Sequence, residues 1–160
     1  MAPRPDLSMP LEEVRALLAR PLTGVLSTLG PGGFPHAVGI YYLPGAEDLR
    51  MWIYRKSQKA KNVERDPRCA LVVEEGEPYV DLRGVLVRGR ARIVDELDEV
   101  IDAGRQVYER YFEPRTQIPY ENGPAERIAA QSAKRVVLAL PLERIASWDH
   151  GGSPATRGSP

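Results

Sequence analysis

Apolar and polar positions alternate along much of this chain, and the places where the alternation fails mark its turns. Thr23 to Leu29 sets Val25, Ser27 and Leu29 against Leu26 and Thr28, meets Gly30-Pro31-Gly32-Gly33, and resumes from Phe34 to Leu43. A two-residue period on both sides of a glycine-rich turn predicts a β-hairpin. Leu49 to Tyr54 is a third strand, with Met51 and Ile53 on one face and Trp52 and Tyr54 on the other. Cys69 to Val73 is a fourth, stopped by Glu74-Glu75-Gly76-Glu77-Pro78. The clearest β-pattern runs from Val80 to Val94: Val85, Val87, Gly89, Ala91 and Ile93 share one face, and Arg88, Arg90 and Arg92 share the other. A strand that long needs a bend, for which Gly84 and Gly89 are natural places. Arg135 to Leu140 is a last apolar strand, extended through Pro141 toward Ile145 to Trp148.

Between these runs the period changes to that of a helix. Residues 9 to 20 predict one helix, capped by Ser8, with Leu11, Val14, Leu17 and Leu18 as its apolar stripe. Ser57 caps a second, which Pro67 ends by disfavouring helical geometry at Asp66. Asp95 caps a third, longer one, with Leu97, Val100, Ile101, Val107, Tyr108, Tyr111 and Phe112 on one face, and a short fourth runs from about Pro124 to Gln131. Residues 113 to 123 read as an irregular connection, and 151 to 160 as a flexible tail outside a single domain of residues 1 to 150. Hairpins, one helix between strands, and a returning strand after the last helices make an antiparallel α+β order. Six or seven strands with glycine bends favour a small closed or split barrel, because closure removes exposed edges. Gly30 to Gly33 joins two strands and so does not open a dinucleotide-binding turn.

Composition narrows the chemistry. The chain has 160 residues, with 22 basic and 22 acidic side chains, so its overall charge calls for neither nucleic acid nor a membrane. One cysteine, Cys69, and two histidines, His36 and His150, form no metal-ligand spacing. Cys69 lies in an apolar strand, where a cysteine is usually an inert small hydrophobe. No signal-peptide pattern opens the sequence and no run is long enough to span a membrane, so a cytoplasmic protein is expected. No catalytic residue and no metal ligand stands out.

The helix after Ser57 carries the strongest chemical signal. Its cations, Lys59 and Lys61, stand near the positive end of the helix dipole, and its anions, Glu64 and Asp66, near the negative end. That order opposes the dipole. A phosphate or carboxylate held by free backbone N–H groups and lysines would favour it, and a solvated surface helix would tolerate it. Aromatic residues at strand ends (Tyr41, Tyr42, Trp52, Tyr54, Tyr79, Trp148) could line a cleft for a planar ligand or fill the core. An anion-holding helix end beside aromatic strands fits a phosphorylated planar cofactor that brings its own chemistry.

The ordered set Val25-Leu26-Ser27-Thr28, Gly32-Gly33-Phe34-Pro35-His36, Ser57-x-Lys59-x-Lys61-Asn62-Val63, Asp66-Pro67-Arg68, Leu71-Val72-Val73, Val87-Arg88-Gly89-Arg90-Ala91 and Ile145-Ala146-Ser147-Trp148-Asp149 resembles the pyridoxamine 5′-phosphate oxidase-like split β-barrel family of flavin and deazaflavin oxidoreductases. The closing motif resembles its deazaflavin-dependent branch. The resemblance implies a Greek-key split barrel that forms a homodimer, with the cofactor in a groove between subunits. By the same resemblance Ser57 and Lys59 would hold the cofactor phosphate, with Lys61 and Asn62 in support. Thr28 and the Gly39-Ile40-Tyr41 backbone would lie along the ring, and Tyr79 and Trp148 would close the pocket. The implied function is hydride transfer from coenzyme F420, a deazaflavin, to an unsaturated small molecule. An FMN-dependent oxidoreductase is the second reading, and a non-catalytic binder of flavin, haem or another tetrapyrrole the third.

Overall fold

The computed structural model describes residues 6–113 and 123–152. The chain forms α1 (Leu11–Ala19), β1 (Gly24–Leu29), β2 (Pro35–Ile40), β3 (Leu43–Pro44), β4 (Asp48–Tyr54), α2 (Gln58–Arg65), β5 (Arg68–Glu75), β6 (Arg83–Arg90), β7 (Arg92–Val94), α3 (Leu97–Val107), α4 (Gly123–Ser132), β8 (Arg135–Pro141) and β9 (Arg144–Asp149). The strands pair antiparallel in two sheets. Sheet A has the order β2-β1-β5-β6-β9 and sheet B the order β3-β4-β8-β7. This is the α+β, mainly antiparallel split barrel that the sequence predicts, with helices at its periphery.

Alternation places one core between the sheets. Leu26, Leu71, Val73, Val85 and Val87 come from sheet A, and Leu49, Met51, Ile53, Val136, Leu138 and Leu140 from sheet B. Each large apolar side chain buried there contributes roughly 1.5–3 kcal/mol. Sheet B is covered on its other face too, by Val100, Ala103 and Val107 of α3 packed on Val137 and Ala139. That is why β8 reads as an unbroken apolar run from Val136 to Leu140. A π-turn at Tyr108–Phe112 then drives Tyr111 inward, its hydroxyl 2.8 Å from the Tyr42 carbonyl and 3.1 Å from that of Leu22.

Several boundaries differ from the sequence reading, each for a local reason. Pro10, not Ser8, stands at the N-cap of α1, and Leu11 is exposed because the buried stripe is Val14, Leu17 and Leu18, with Met9 tucked beneath. Glu96, not Asp95, occupies the cap position of α3, without a side-chain cap bond, and Asp95 instead pairs with Arg55 at 3.3 Å. Leu97 is exposed, so the buried face of α3 is built on Val100, Ala103, Gly104 and Val107. The long run from Val80 to Val94 is three pieces: a 3-10 turn at Tyr79–Asp81, β6 in sheet A, and β7 in sheet B. The chain changes sheets at buried Ala91, whose N–H donates to the Pro67 carbonyl at 2.8 Å. Leu142 and Glu143 make the second crossing, so the strand predicted through Pro141 becomes β8 and β9 in different sheets. The run from Phe34 to Leu43 likewise breaks after Ile40, which brings the strands among the described residues to nine. The expected irregular connection falls largely on residues 114–122, and most of the expected tail on 153–160, outside the described residues.

Cys69 is buried in β5, and burial pushes its thiol up to about 11, with the Ala91 backbone hydrogen bond opposing more weakly. Little thiolate exists at neutral pH, so the native protein is expected to resist a disulfide reagent and to react within minutes once unfolded in guanidinium. A native thiol that labels at the unfolded rate would contradict this burial.

Candidate functional site

The helix singled out by its reversed charges forms as predicted. The Ser57 hydroxyl accepts from the Ala60 N–H at 3.4 Å, and Asp66 closes the C-terminus through its N–H to the Asn62 carbonyl at 2.8 Å. The first N–H groups of a helix have no partner within it, so those of α2 face outward from its N-terminus. Ala60 and Val63 are buried beneath, which turns Lys59 half inward and leaves Lys61 at the surface.

What Lys59 meets there is another cation. Its ammonium is held below the ordinary lysine range, first by burial and then by the charge of Arg135. Arg135 opens β8 directly opposite Tyr54, the last residue of β4. Its guanidinium lies between two rings, 3.9 Å from the Trp52 centroid and 3.8 Å from that of Tyr54. Burial lowers its pKa as well, although a guanidinium stays protonated at any working pH. One arginine N–H reaches the Trp52 carbonyl at 3.4 Å, while the buried Nε of Arg135 and the buried indole nitrogen of Trp52 have no partner. Two half-buried cations beside a helix N-terminus could hold an anion. A phosphate fits: it would neutralise both charges and accept from the open N–H groups.

Beside Arg135 opens a small pocket of about 250 Å³, lined in part by Trp52, Tyr54, Tyr108, Phe112 and Gln131. A larger one, about 530 Å³, lies on the outer face of sheet A, where Ser27, Leu29, Pro35 and Ala70 form the floor. Among the described residues no three potential metal ligands come together, and no helix is long and apolar enough to cross a membrane.

Residues 10–149 match the family model described as pyridoxamine 5′-phosphate oxidase. The chain belongs to that family. A curated relative, the F420H(2)-dependent biliverdin reductase of Mycobacterium tuberculosis, is 27% identical over 136 residues, covering 84% of this chain and 85% of that protein. Among solved structures, a conserved hypothetical protein of Mycobacterium tuberculosis is 34% identical with a TM-score of 0.80, over 94% of this chain and 91% of that one. A structure described as an F420 reductase is 28% identical with a TM-score of 0.66, over 86% of this chain and 98% of that one.

Within one chain, the oxidase-family fold separates the residues that the resemblance groups. Ser57 and Lys59 stand at the candidate anion site, with Lys61 exposed nearby on the same helix. Asn62 and Thr28 are fully buried and face each other, the amide of Asn62 donating to the Thr28 hydroxyl at 2.9 Å while its oxygen accepts from Gln58 at 2.8 Å. Their side chains tie α2 to β1, and Thr28 also lines the cavity on the outer face of sheet A. Gly39 is exposed on edge strand β2, Ile40 packs on the main core, and Tyr41 stacks on Tyr111 at 4.3 Å. Trp148 lies against Gly84 and donates to Glu74 at 3.1 Å, and Tyr79 is exposed beside His150. Those two sit at the end of the β5–β6 ladder away from Arg68 and Arg90. Arg135 is the residue that the sequence reading passes over. Its only signal is a cation at the mouth of an otherwise apolar strand.

Proposed function

We propose that this chain is a deazaflavin-dependent reductase that works as a homodimer, holds the coenzyme phosphate between Lys59, Arg135 and the N-terminus of α2, and delivers a hydride to an unsaturated small molecule. The observation that carries the reading is the Lys59–Arg135 pair. Two like charges pushed together and partly dried cost the apoprotein stability, and a bound phosphate reverses the sign of that interaction. The named relatives support the deazaflavin over FMN, since one is an F420H(2)-dependent biliverdin reductase and another is described as an F420 reductase. Coenzyme F420 supplies the hydride when bound. The chain's own residues bind and orient it: Lys59 and Arg135 grip the phosphate, Ser57 keeps the helix end ordered, and the Thr28–Asn62 bond fixes α2 on the barrel.

The homodimer is supported by the outer face of sheet A. Val25 is 46% exposed there, with Gly39 and Ala37 beside it on β2, and Val72, Leu86 and Ala146 carry the apolar surface across β5, β6 and β9. Phe34 at the tip of the first hairpin is 81% exposed. Contiguous apolar surface of this kind marks an interface.

Titration of the purified protein with coenzyme F420 and, separately, FMN tests the reading by fluorescence, with light scattering for the mass. Saturable binding of the deazaflavin at micromolar or lower concentration by a dimer is expected. Tight FMN binding with none for the deazaflavin would transfer the site to a flavin enzyme, and binding of neither would leave a non-catalytic barrel. Because a relative is named for biliverdin, that linear tetrapyrrole is the first acceptor to assay with the reduced coenzyme.

A further inference from the structure

We propose that the cavity on the outer face of sheet A is the acceptor site, and that it selects flat apolar molecules carrying two carboxylates. The inference rests on the reductase reading and names its substrate class.

The strand register makes the case. Arg68 of β5 stands directly opposite Arg90 of β6, and Arg88 of β6 directly opposite Arg144 of β9. Residues opposite one another share a face, and residues two apart on a strand do as well, so all four guanidinium groups rise from the outer side around Ala70. Like charges directly opposite destabilise a sheet. Two such pairs in consecutive outward positions therefore need a reason beyond folding.

Elsewhere arginines find acids or backbone carbonyls: Arg65 donates to the Leu29 carbonyl and Arg110 to those of Leu18 and Arg20, while others pair with carboxylates. Arg83 and Arg20 share Glu75, Arg50 has Glu99, Arg92 has Asp48 and Arg105 has Asp102. At the cavity the balance fails. Asp66 is taken by Arg68, at 2.6 Å, and feels Arg90 as well. Among the described residues Arg88, Arg90 and Arg144 form no ion pair, and Glu143 is the acid that joins the four arginines in lining the cavity.

The floor defines the rest of the ligand. Ser27, Ala70, Leu29 and Pro35 stand on neighbouring strands and make a mostly apolar bed inside the basic rim. A volume of about 530 Å³ suits a small-molecule site. Arg88 with Arg144 answers one anionic group, and Arg90, beside the Asp66-bound Arg68, answers a second, each group able to accept a bidentate guanidinium fork. Two residues along a strand is about 7 Å, which sets the spacing of those groups. The cavity is also apart from the phosphate site. Arg68 follows the C-terminus of α2, whereas Lys59 is at its N-terminus, about 12 Å away along the helix. A polyglutamate tail would use the rim without the floor, so the floor favours an amphiphilic acceptor.

Biliverdin, with two propionates on a planar apolar body, and its dimethyl ester are the probes, titrated into the full-length protein without coenzyme. Wild type is expected to bind the acid at least tenfold tighter than the ester. The Arg88→Ala/Arg144→Ala double variant should lose tenfold or more for the acid and little for the ester, with coenzyme affinity and light-scattering mass unchanged. Equal binding of acid and ester by wild type, or intact acid binding by the variant, overturns the proposal. So does a variant that loses affinity only for coenzyme bearing its glutamate tail, which would assign the arginines to the tail. A halved mass with acid binding unaffected would assign them to a second copy and also overturns it. The acid–ester comparison uses wild type, so a misfolded variant does not remove the test. It needs no coenzyme either, so failure of the reductase reading shows separately, as lost deazaflavin binding.

Discussion

Lys59→Ala is expected to weaken binding of the deazaflavin coenzyme by about 1.5–3 kcal/mol, roughly 10- to 150-fold, while leaving the apoprotein as stable as wild type or slightly more so. The two halves of this result have one cause. Without ligand, Lys59 is half-buried and feels the charge of Arg135, and burial followed by that charge holds its pKa down. Removing the ammonium relieves both costs and also takes away one of two cations that a phosphate would bridge. A lysine kept only for solubility would change neither quantity.

The pH dependence has a definite sign. The folded-state pKa of Lys59 lies below its unfolded value, so its cost to the apoprotein is fully present at lower pH. That cost fades as pH rises from the folded pKa toward the ordinary lysine value. Coenzyme binding restores the proton, so affinity should fall through the same alkaline window, and the fall should be absent in Lys59→Ala. Arg135→Ala should weaken binding comparably but destabilise the apoprotein, because its stacking between Trp52 and Tyr54 is lost with the charge. Isothermal titration across pH, together with thermal melts of the free proteins, reads all of these.

The second large effect is structural. Asn62→Ala should cost about 2–3 kcal/mol of folding stability, since it strips the fully buried Thr28 hydroxyl of its donor and leaves a small cavity under α2. Thr28→Val should cost about 1–3 kcal/mol for the converse reason, by orphaning the Asn62 amide. The double variant should fall short of the sum by about 1 kcal/mol, because the second change removes a group that the first has already left unsatisfied. Denaturant melts of the four proteins give the cycle. Strict additivity would mean that Thr28 and Asn62 act independently, which is incompatible with a 2.9 Å bond between buried groups.

These two residues show where sequence reading succeeds and where it stops. The helix after Ser57 was legible because its signals are local: a capping hydroxyl, a proline stop and charges set against a dipole. Asn62 and Thr28 were legible as a pair in the family order, but not as partners of each other, because 34 residues separate them and only the packed barrel brings them together. Arg135 escaped for the same reason: its neighbours in sequence say strand, and its meaning comes from Tyr54 across the ladder and Lys59 on α2. The break at Ala91 was invisible to a two-residue period, since β6 and β7 keep their alternation on both sides of the crossing while exchanging partners. The arginine row was plain in the pattern of β6. Its doubling by Arg68 and Arg144 was not, because pairing register is a property of three strands together.

The ladder that joins β4 to β8 also sets an order of events during synthesis. The hairpin of β1 and β2 can close as soon as residue 40 has emerged, but Tyr54 must wait for Arg135, 81 residues later in the chain. At about 5–20 residues per second that is a delay of roughly 4–16 s, during which Leu49, Met51 and Ile53 of β4 have no β8 to cover them. Chaperone contact should therefore concentrate on β4. The proposed anion site would be built across this latest-formed pairing, so a truncated chain ending before β8 should retain the first hairpin and have no affinity for the coenzyme.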